Sequence, residues 1–453
     1  MNTTPNFPKK TLSGFGKYLK SNAFLMRPEK SSGLKTAIVT SVKSNLPIIP
    51  QGYGKSYGDA FLNSDGLVLS TKKLNKFLEA DWEKGQLKLE SGVTFREIFS
   101  ISLDKSWLPP VTPGYSEISI GGAISFDIHG KNHGRKGGFG KYVVSFTLLT
   151  PKLDKIICSR TCNSELFYAT IGGMGLTGII EDAVIQLEPI PGNTLLTTYT
   201  PLKSFGAIFK HAMQGLESDY FVIWIDLLNS RDTSTLRGIS QASKFTNDKD
   251  KIWTDNWSSK KSPPLGLISP FYNKLSNKLF NSFYYHRGKQ KNIQKEKSLR
   301  SFLFPWDTLS TWNDLYGSRG FIEYQAAIPS ENARPVLNEI FQVIFKYRKK
   351  VPIYFCALKR LMKGVGLLSF GKDGYSILFD APATKEAFSM FDELDVIVTE
   401  ANGHVYLAKD GRLSEKSFTN MYSENLDAFS KVRDSIDPEH IFKSDMSRRL
   451  GLD

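Results

Sequence analysis

One stretch rich in glycine and histidine, residues 121–134, restricts what this chain can fold into more than any other feature. It reads Gly-Gly-Ala-Ile-Ser-Phe-Asp-Ile-His-Gly-Lys-Asn-His-Gly, so paired glycines lead through a short apolar run to a group of polar side chains. Glycine permits positive φ angles and close approach of the backbone to a ligand, and histidine, lysine and asparagine supply hydrogen-bond donors. We interpret the stretch as part of a site whose backbone surrounds a large phosphorylated cofactor, with His129 facing the reactive end. The alternative is a glycine-rich turn with exposed polar residues.

A second glycine-rich loop lies upstream at residues 52–59, directly after the extended-looking segment 46–50. It reads Gly-Tyr-Gly-Lys-Ser-Tyr-Gly-Asp. Successive backbone N–H groups in such a turn form an anion-binding nest, to which Lys55 and Ser56 add a charge and a hydroxyl suited to a pyrophosphate. The spacing matches neither the dinucleotide fingerprint nor a P-loop. An ordinary hairpin turn is the alternative interpretation.

A third stretch, residues 173–178, does match the spacing G-x-G-x-x-G. That fingerprint binds a pyrophosphate only when it follows a strand and precedes a helix. Here residues 165–171 read as a helix before it, and residues 178–187 read as a strand after it. The reversed order argues against a nicotinamide-type Rossmann site at this position.

Composition indicates a globular enzyme. At 453 residues the chain has room for two or three domains. No apolar run approaches the roughly 18 residues of a membrane span, and the N-terminus lacks the apolar core of a signal peptide, so we expect a cytoplasmic protein. Three cysteines fit a reducing compartment. Cys158 and Cys162 have no further ligand nearby to complete a zinc site, and we expect no metal.

The net charge of +14 raises the possibility of a nucleic-acid partner. However, the basic residues form no single stripe and no nucleic-acid-binding motif is present, so we expect none. The largest excess of basic over acidic residues lies in residues 269–300, which contain six lysines, two arginines and one acid, Glu296. Phe271, Leu275 and Leu279 follow there at helical spacing. This combination suits peripheral contact with the inner face of a membrane, or alternatively a solvated or disordered insertion.

Short strand-like runs and glycine turns alternate over the first 190 residues. We predict strands at 37–40, 66–70, 87–90 and 143–149, and helices at 94–104 and 164–171. Residues 189–192 form a Pro-Ile-Pro-Gly boundary. Beyond it we predict strands at 221–226, 320–328, 354–358 and 375–379, and helices at 332–349, 385–401 and 424–435. Such a pattern favours an α+β fold, and residues 230–300 read as polar and irregular.

Six stretches, in order over nearly the whole chain, resemble the vanillyl-alcohol-oxidase/PCMH-type FAD-dependent oxidoreductases. They are residues 52–59, 127–132, 172–180, 315–325, 406–410 and 444–450. The resemblance implies an α+β, two-domain PCMH-type fold. Residues 1–192 and 404–453 would form the FAD-binding domain. Residues 193–403 would form a substrate domain, an antiparallel sheet flanked by helices, with a basic insertion at about 230–300 that is disordered or close to a membrane.

The resemblance also implies site residues. Those expected to contact FAD are Gly52, Tyr53, Gly54, Lys55, Ser56, Tyr57, Gly114, Gly121, Gly122, His129, Gly130, Asn132, Ile180, Tyr406 and Ala408. The expected catalytic residues are Lys409, Tyr406 and His129, and those expected to bind substrate are Tyr316, Gln325, Lys359 and Lys131. Covalent members of the family carry a histidine close to the position of Lys55. This chain has no histidine at that point, so FAD is expected to be held non-covalently.

A lysine at position 409 makes physical sense, because a fixed cation stabilises the negative charge that reduced flavin gathers. Without the resemblance, Tyr406 and Lys409 would read as an ordinary strand end with a surface lysine. Two positions depart from the pattern of similar enzymes. Leu378 stands where a pocket cysteine can occur, and Glu323 stands where a glutamine is typical. Both lie on the substrate side, so the flavin chemistry is better supported than the identity of the sugar.

The resemblance implies oxidation of a sugar hydroxyl to a ketone by hydride transfer to flavin N5. The expected substrate is the 2′-hydroxyl of a polyprenyl-phosphate-linked pentose. This would be the first half of an epimerisation in cell-envelope polysaccharide synthesis, which a separate short-chain reductase completes. One alternative is a soluble aldonolactone or polyol oxidase of the same fold. The other, of a different class, is a basic membrane- or nucleic-acid-binding protein with a vestigial flavin fold.

Overall fold

The computed structural model of the chain describes residues 7–246, 271–288, 293–309 and 312–453. Its first eleven strands lie in the N-terminal part: β1 Lys9–Ser13, β2 Lys20–Met26, β3 Ile48–Gln51, β4 Leu67–Ser70, β5 Phe77–Asp81, β6 Gln86–Glu90, β7 Trp107–Leu108, β8 Val143–Leu149, β9 Lys155–Ser159, β10 Ile179–Gln186 and β11 Glu188–Pro189. The helices among them are α1 Ser32–Ser44, α2 Phe95–Ser102, α3 Ile120–Ser125, α4 His133–Lys136 and α5 Ser164–Thr170.

The remaining strands are β12 Thr194–Leu202, β13 Tyr220–Asp226, β14 Arg237–Phe245, β15 Ile293–Ser298, β16 Phe321–Pro329, β17 Cys356–Leu361, β18 Gly374–Pro382 and β19 His404–Val405. The remaining helices are α6 Phe205–Gln214, α7 Lys274–Arg287, α8 Leu299–Leu303, α9 Ala333–Tyr347, α10 Lys385–Glu400, α11 Glu415–Ile436 and α12 Asp445–Arg449. None of the helices within the described ranges combines the length and apolar character needed to cross a bilayer.

Two larger sheets and the two-stranded sheet β11-β7 build the N-terminal part. The first has the order β1-β2-β4-β3, and its β2, β4 and β3 run parallel. The second is antiparallel, with the order β5-β6-β10-β8-β9. Each sheet buries its own apolar cluster, around Leu67 and Leu69 in the first and around Phe146 and Leu148 in the second. The long glycine-rich segments connect these elements as loops.

An eight-stranded antiparallel sheet follows, in the order β15-β12-β14-β13-β17-β18-β16-β19. Successive side chains of a strand point to opposite faces, and the central strands use this alternation fully. Tyr324 of β16 and Phe379 of β18 face helices α9 and α10, where Tyr324 packs on Phe391 at 5.0 Å between ring centroids. The intervening residues of the same strands therefore point to the other face of the sheet.

The C-terminal segment returns to the N-terminal part of the chain. The backbone N–H of Asp445 donates to the carbonyl of Leu62 at 2.7 Å, and the N–H of Ile48 donates to the carbonyl of Ile441 at 2.8 Å. Arg449 of α12 forms a bidentate ion pair with Asp59. The loop that follows β19 is held between these contacts and the large sheet.

The predicted α+β architecture is confirmed. The predictions of strands at 66–70, 87–90, 143–149, 221–226, 320–328 and 375–379 correspond to β4, β6, β8, β13, β16 and β18. Those of helices at 94–104, 164–171, 332–349 and 385–401 correspond to α2, α5, α9 and α10, and the helix predicted at 424–435 is the second half of α11. Helix α5 precedes the glycine stretch 173–178 and β10 follows it, as the sequence indicated.

Three predictions of local structure differ from the structure. Residues 37–40, predicted as a strand, lie inside helix α1, whose buried residues Leu34, Ala37, Ile38 and Ser41 follow the helical period. That periodicity outweighs the strand preference of valine and threonine. Residues 230–300, predicted to be irregular, include β14, α7 and β15, because β14 and β15 complete the large sheet on either side of β12. Residues 247–270 and 289–292 of this insertion lie outside the described residues. Strand β17 also begins at Cys356, not at residue 354.

Candidate active site

One large cavity lies between the glycine loops of the N-terminal part and the face of the large sheet opposite to the helices α9 and α10. It brings together most of the residues expected at the site from the sequence: Gly52, Tyr53, Gly54, Lys55, Ser56, Tyr57, Gly114, Gly121, Gly122, His129, Gly130, Lys131, Ile180, Gln325, Lys359, Tyr406, Ala408 and Lys409. Asn132 and Tyr316 do not line it. Asn132 is buried behind the wall and donates to the carbonyl of Pro110 at 2.7 Å, so it positions the loop and does not face the cavity.

The loop at residues 52–56 presents a run of unsatisfied backbone donors to the cavity. No described residue accepts a hydrogen bond from these five N–H groups, and all five residues are half-buried. A side chain at Gly52 would not fit, because its Cβ would lie 2.2 Å from the Ser119 hydroxyl. The ammonium of Lys55 lies 3.3 Å from Glu117 at the same loop. Such a run of backbone N–H groups forms a nest that can bind an anionic group.

Apolar side chains form part of the rest of this half of the cavity. Ile128, Met174 and Ile180 contribute to its wall, and the Ser91 hydroxyl, which also lines it, is buried with no partner among the described residues. A Cβ on Gly121 would lie only 3.0 Å from Ser91. Free N–H groups for a pyrophosphate and an apolar wall for a ring system together fit FAD. FAD binding is inferred from these features. It does not rely on the strand, glycine loop and helix of a Rossmann site.

Strand alternation creates the opposite wall. Glu323 and Gln325 of β16, Lys359 of β17 and Leu378 and Asp380 of β18 all point to the cavity. Glu323 is directly opposite Asp380 in the strand register, and Gln325 is directly opposite Leu378. A set of charged and amide side chains is thereby fixed on a rigid sheet, whose other face is packed against helices.

Lys409 completes this wall from the loop after β19. Its ammonium lies 3.2 Å from the Glu323 carboxylate and 3.5 Å from the centre of the Tyr57 ring. Burial lowers the pKa of Lys409, and Glu323 opposes that shift. The loop is held by hydrogen bonds from Tyr406 N–H to the Gln325 carbonyl and from Tyr57 N–H to the Ala408 carbonyl, both at 2.9 Å.

His129 lies at the centre of a hydrogen-bonded group. Its Nδ1 is 2.7 Å from the Lys359 ammonium, and its Nε2 is 2.9 Å from the Gln325 amide. Lys359 also donates to the Gly130 carbonyl at 3.0 Å. Burial, followed by the charge of Lys359, lowers the pKa of His129 well below its usual value, so the ring is neutral. Nδ1 accepts from Lys359, and Nε2 faces the amide nitrogen of Gln325. A neutral imidazole has one donor and one acceptor, so an Nε2–H donor here requires the Gln325 amide to be turned by 180°, with its oxygen toward His129.

Three further groups near the wall have perturbed ionisation. Burial, followed by repulsion from Lys409, lowers the pKa of Lys359 to about 7. Burial lowers the pKa of Lys131 to about 7, and its ammonium donates to the Phe302 carbonyl. Burial raises the pKa of Asp380 to about 7, opposed by a hydrogen bond from the Tyr316 hydroxyl. Tyr316 therefore reaches the site through Asp380.

Tyr406 lies beside His129, with 5.0 Å between ring centroids, and its hydroxyl donates to the Phe126 carbonyl at 3.3 Å. Burial raises the pKa of Tyr406 well above its usual value, so the phenol stays protonated. Its role in this geometry is to fix the wall next to His129 and the loop that carries Lys409.

Sequence reasoning missed two residues of the wall. Asp380 was not identified, although it lies two residues from Leu378 and the period of a strand places both on one face. Ser91 was also missed, and no pattern in the sequence indicates it. The stretch 173–178, rejected as a Rossmann loop, still contributes Met174, Gly175 and Gly178 to the cavity.

Comparison with known proteins relates the chain to flavoenzymes. A family model described as an FAD binding domain matches residues 23–155, and one described as D-arabinono-1,4-lactone oxidase matches residues 318–450. The chain is 30% identical to decaprenylphosphoryl-beta-D-ribose oxidase of Mycolicibacterium smegmatis, over 99% of this chain and 100% of the relative. It is 23% identical to L-gulonolactone oxidase of Mus musculus, over 92% of each chain.

Another relative matches only part of the chain. Cytokinin dehydrogenase 1 of Arabidopsis thaliana is 27% identical over 49% of this chain and 41% of its own. The similarity over the full length, the matched FAD binding domain and the geometry of the cavity agree with one another. The chain therefore belongs to the vanillyl-alcohol-oxidase/PCMH-type family, and it is an FAD-dependent oxidoreductase of the class that acts on CH–OH groups.

Proposed function

We propose that this enzyme oxidises the 2′-hydroxyl of a pentose linked to a polyprenyl phosphate, giving the 2′-ketone. The observation that carries the proposal is the wall formed by Lys409, Glu323, Lys359 and Gln325, which places fixed cations and hydrogen-bonding groups around one point of the cavity. The relative from Mycolicibacterium smegmatis, which matches along the entire chain, is named for a decaprenylphosphoryl ribose substrate.

FAD, when bound, supplies the acceptor for the hydride that leaves the hydroxyl-bearing carbon. The protein's own residues then have distinct tasks. Lys409 provides a fixed positive charge, which stabilises negative charge that develops during the reaction. Glu323 lies within hydrogen-bonding distance of Lys409, so this pair accepts and disperses the hydroxyl proton. Gln325 orients the sugar, because the amide atom that points away from His129 has no partner among the described residues.

Lys359 and Lys131 would recognise the phosphate of the substrate. Both line the cavity, and neither is paired with a carboxylate among the described residues. A buried cation that lacks a counter-ion favours an anionic ligand. The hydrogen bond between Tyr316 and Asp380 would hold the neighbouring wall in place.

FAD is held non-covalently in this proposal. His129 is the only histidine in the described lining of the cavity, which contains no cysteine, and both of its ring nitrogens are engaged by Lys359 and Gln325. It is therefore poorly placed to attack the cofactor. Lys55 occupies the position where a tethering histidine was expected in covalent relatives.

The product of the proposed reaction is a ketone that retains its lipid carrier. Reduction of that ketone from the opposite face would invert the carbon and complete an epimerisation, so a short-chain reductase is the partner that we propose. The lipid carrier places both steps at the surface of a membrane. The pair would supply an epimerised sugar for cell-envelope polysaccharide synthesis.

A second candidate is an aldonolactone or polyol oxidase. It is favoured by the family model over residues 318–450, which is described as a D-arabinono-1,4-lactone oxidase, and by the acid at position 323. Lys131 and Lys359 argue for the phosphorylated substrate, since a lactone or a polyol has no anion for them to bind.

The test is anaerobic reduction of the purified flavoenzyme by three compounds: a farnesyl-phosphoryl ribofuranose, an aldono-1,4-lactone and a polyol. We expect the prenyl-phosphoryl sugar to bleach the flavin at concentrations where the other two do not. Faster bleaching by the lactone or the polyol would replace the proposal with the second candidate.

A further inference from the structure

Helix α7 is packed with its polar side inward and its apolar side outward. Its buried residues are Asn277, Asn281 and Tyr285. The opposite side carries large apolar side chains that are 62–72% exposed: Leu275, Leu279, Phe280 and Phe283, together with Phe271 just before the helix. Helices at the surface of globular proteins normally bury their apolar face, so a stripe this exposed indicates a binding surface.

The inward polar face has a clear structural cause. Asp226 of β13 is fully buried and forms an ion pair with Arg237 at 2.7 Å. Asn281 donates to the remaining carboxylate oxygen of Asp226 at 3.1 Å. A buried carboxylate must have its hydrogen bonds satisfied, which fixes α7 in this rotation about its axis. The apolar side is therefore held outward by specific contacts of the folded protein.

A basic cavity of about 350 Å³ lies directly beside this helix. Its charged lining residues are Arg231, Arg237, Lys274, Lys278, Arg348 and Lys349, and among the described residues its lining contains no aspartate or glutamate. Within the described ranges, Arg237 alone of these six has an acidic partner, Asp226. Lys274 donates to the Arg348 carbonyl at 3.0 Å, which leaves its charge uncompensated. The cavity suits a phosphate group.

The cavity and the apolar stripe belong to one surface. Lys274 and Lys278 line the cavity, and the next residue after each, Leu275 and Leu279, belongs to the exposed stripe. Such a surface complements an anionic lipid bilayer. The large apolar side chains would contact acyl chains, and the neighbouring lysines and arginines would contact headgroup phosphates.

We propose that α7 and the basic cavity bind the surface of a bilayer containing anionic phospholipid, with a headgroup phosphate in the cavity. This surface is separate from the site of oxidation, but it is close to its substrate side. Tyr272, one residue before the cap of α7, packs against Tyr316 and Tyr354 at 5.3 and 4.8 Å between ring centroids. Binding would hold the catalytic cavity near lipid-borne substrates.

The test is co-sedimentation of the FAD-loaded full chain with vesicles of phosphatidylcholine, with or without phosphatidylglycerol. We expect binding to the anionic vesicles that weakens with salt. The substitution pair Leu279→Glu and Phe283→Glu should abolish it. The pair Lys278→Ala and Lys349→Ala should weaken it roughly 30-fold, since each basic residue near an anionic surface contributes about a factor of five. Ile157→Glu, at an exposed position on β9, is the matched control and should bind like the wild type.

Several outcomes would overturn the proposal. One is vesicle binding at the wild-type level by the protein that carries Leu279→Glu and Phe283→Glu. A second is full affinity for anionic vesicles after loss of Lys278 and Lys349. A third is equal binding of the wild type to both kinds of vesicle. A dimer that this pair of glutamates disrupts, without any vesicle binding, would identify a second copy as the occupant. Protection of the protein by inorganic phosphate alone, again without vesicle binding, would identify a free phosphate. The flavin spectrum and its reduction by a short-chain substrate are recorded for every variant, so failure of this proposal is distinguishable from failure of the proposed reaction.

Discussion

The ammonium of Lys409 and the carboxylate of Glu323 are 3.2 Å apart, although 85 other residues separate them in the sequence. Glu323 comes from the large sheet and Lys409 from the segment that returns to the N-terminal part. The partly buried ammonium of Lys409 is thus balanced by the carboxylate of Glu323 at the cavity wall. The pair links the two parts of the chain at the proposed site of oxidation.

Replacing Lys409 with alanine should slow flavin reduction by about 100- to 1000-fold, the usual effect of removing one preorganised group that stabilises developing charge. FAD should remain bound, because the unpaired N–H groups of residues 52–56 are untouched. Stopped-flow absorbance measures the rate. Lys363→Ala, which breaks an exposed ion pair with Glu424 at 2.8 Å, is the control. Equal rates for the two variants would remove Lys409 from the mechanism.

Glu323→Gln should shift the alkaline limb of the pH–rate profile to lower pH. The carboxylate raises the pKa of Lys409 against the effect of burial, so its removal favours the neutral amine, and the ammonium is lost at a lower pH. The profile of flavin reduction against pH measures this shift. An alkaline limb at the wild-type position would show that the pair does not control the reaction.

Lys359 should make substrate binding dependent on pH near neutrality. Its pKa of about 7 means that it is charged below that pH and neutral above it. A phosphodiester stays anionic over this range, so the KM for the prenyl-phosphoryl sugar should rise as pH increases through about 7. Lys359→Met should have a high KM throughout. Lys359→Arg should reduce the pH dependence to the part contributed by Lys131, whose pKa is also about 7, because arginine stays charged. A flat wild-type profile would contradict the assignment.

Arg449→Ala should lower the free energy of unfolding by ~3–5 kcal/mol, the usual effect of leaving buried charges without a partner. Arg449 forms ion pairs with Asp59 at 2.8 Å and with Asp410 at 3.0 Å, and both carboxylates are almost fully buried. Urea denaturation followed by tryptophan fluorescence measures the change. The neighbouring Arg448→Ala, whose ion pair with Asp445 is more exposed, should have a much smaller effect. Similar losses in both variants would exclude the buried network as the cause.

Acid precipitation should release all of the flavin into the supernatant. The prediction follows from His129, whose two nitrogens are already engaged by Lys359 and Gln325. Visible absorbance of the supernatant and of the redissolved pellet measures the distribution. Colour that stays with the pellet would demonstrate a covalent bond and contradict non-covalent binding.

The sequence predicted the site best in the segments where glycines and hydrogen-bond donors are concentrated. The glycine loops at 52–59 and 121–134 were identified because few other segments combine backbone freedom with donors, and both line the cavity. The strand that carries Gln325 was recognised from its apolar run, whereas the strand predicted at 354–358 ended one residue before Lys359. Helix α1 was missed because the strand preference of four residues was weighed without the longer helical period around them.

Contacts between distant segments could not be predicted. The hydrogen bond from Tyr316 to Asp380 and the ion pair of Lys409 with Glu323 depend on strand register, which local sequence does not specify. The orientation of α7 was equally inaccessible. Its sequence shows one apolar and one polar side, but burial of the polar side depends on Asp226, a charge on a remote strand that requires Asn281.

The central claim is that a hydride leaves the 2′-carbon of a prenyl-phosphoryl pentose inside this cavity. The most direct measurement is single-turnover flavin reduction under anaerobic conditions, with farnesyl-phosphoryl ribofuranose carrying deuterium at C2′ compared with the unlabelled compound. Our account predicts slower bleaching with the labelled sugar and a product with a ketone at C2′. Bleaching that is insensitive to deuterium at C2′ but slowed by deuterium at another carbon would contradict it, as would a flavin that this sugar fails to reduce.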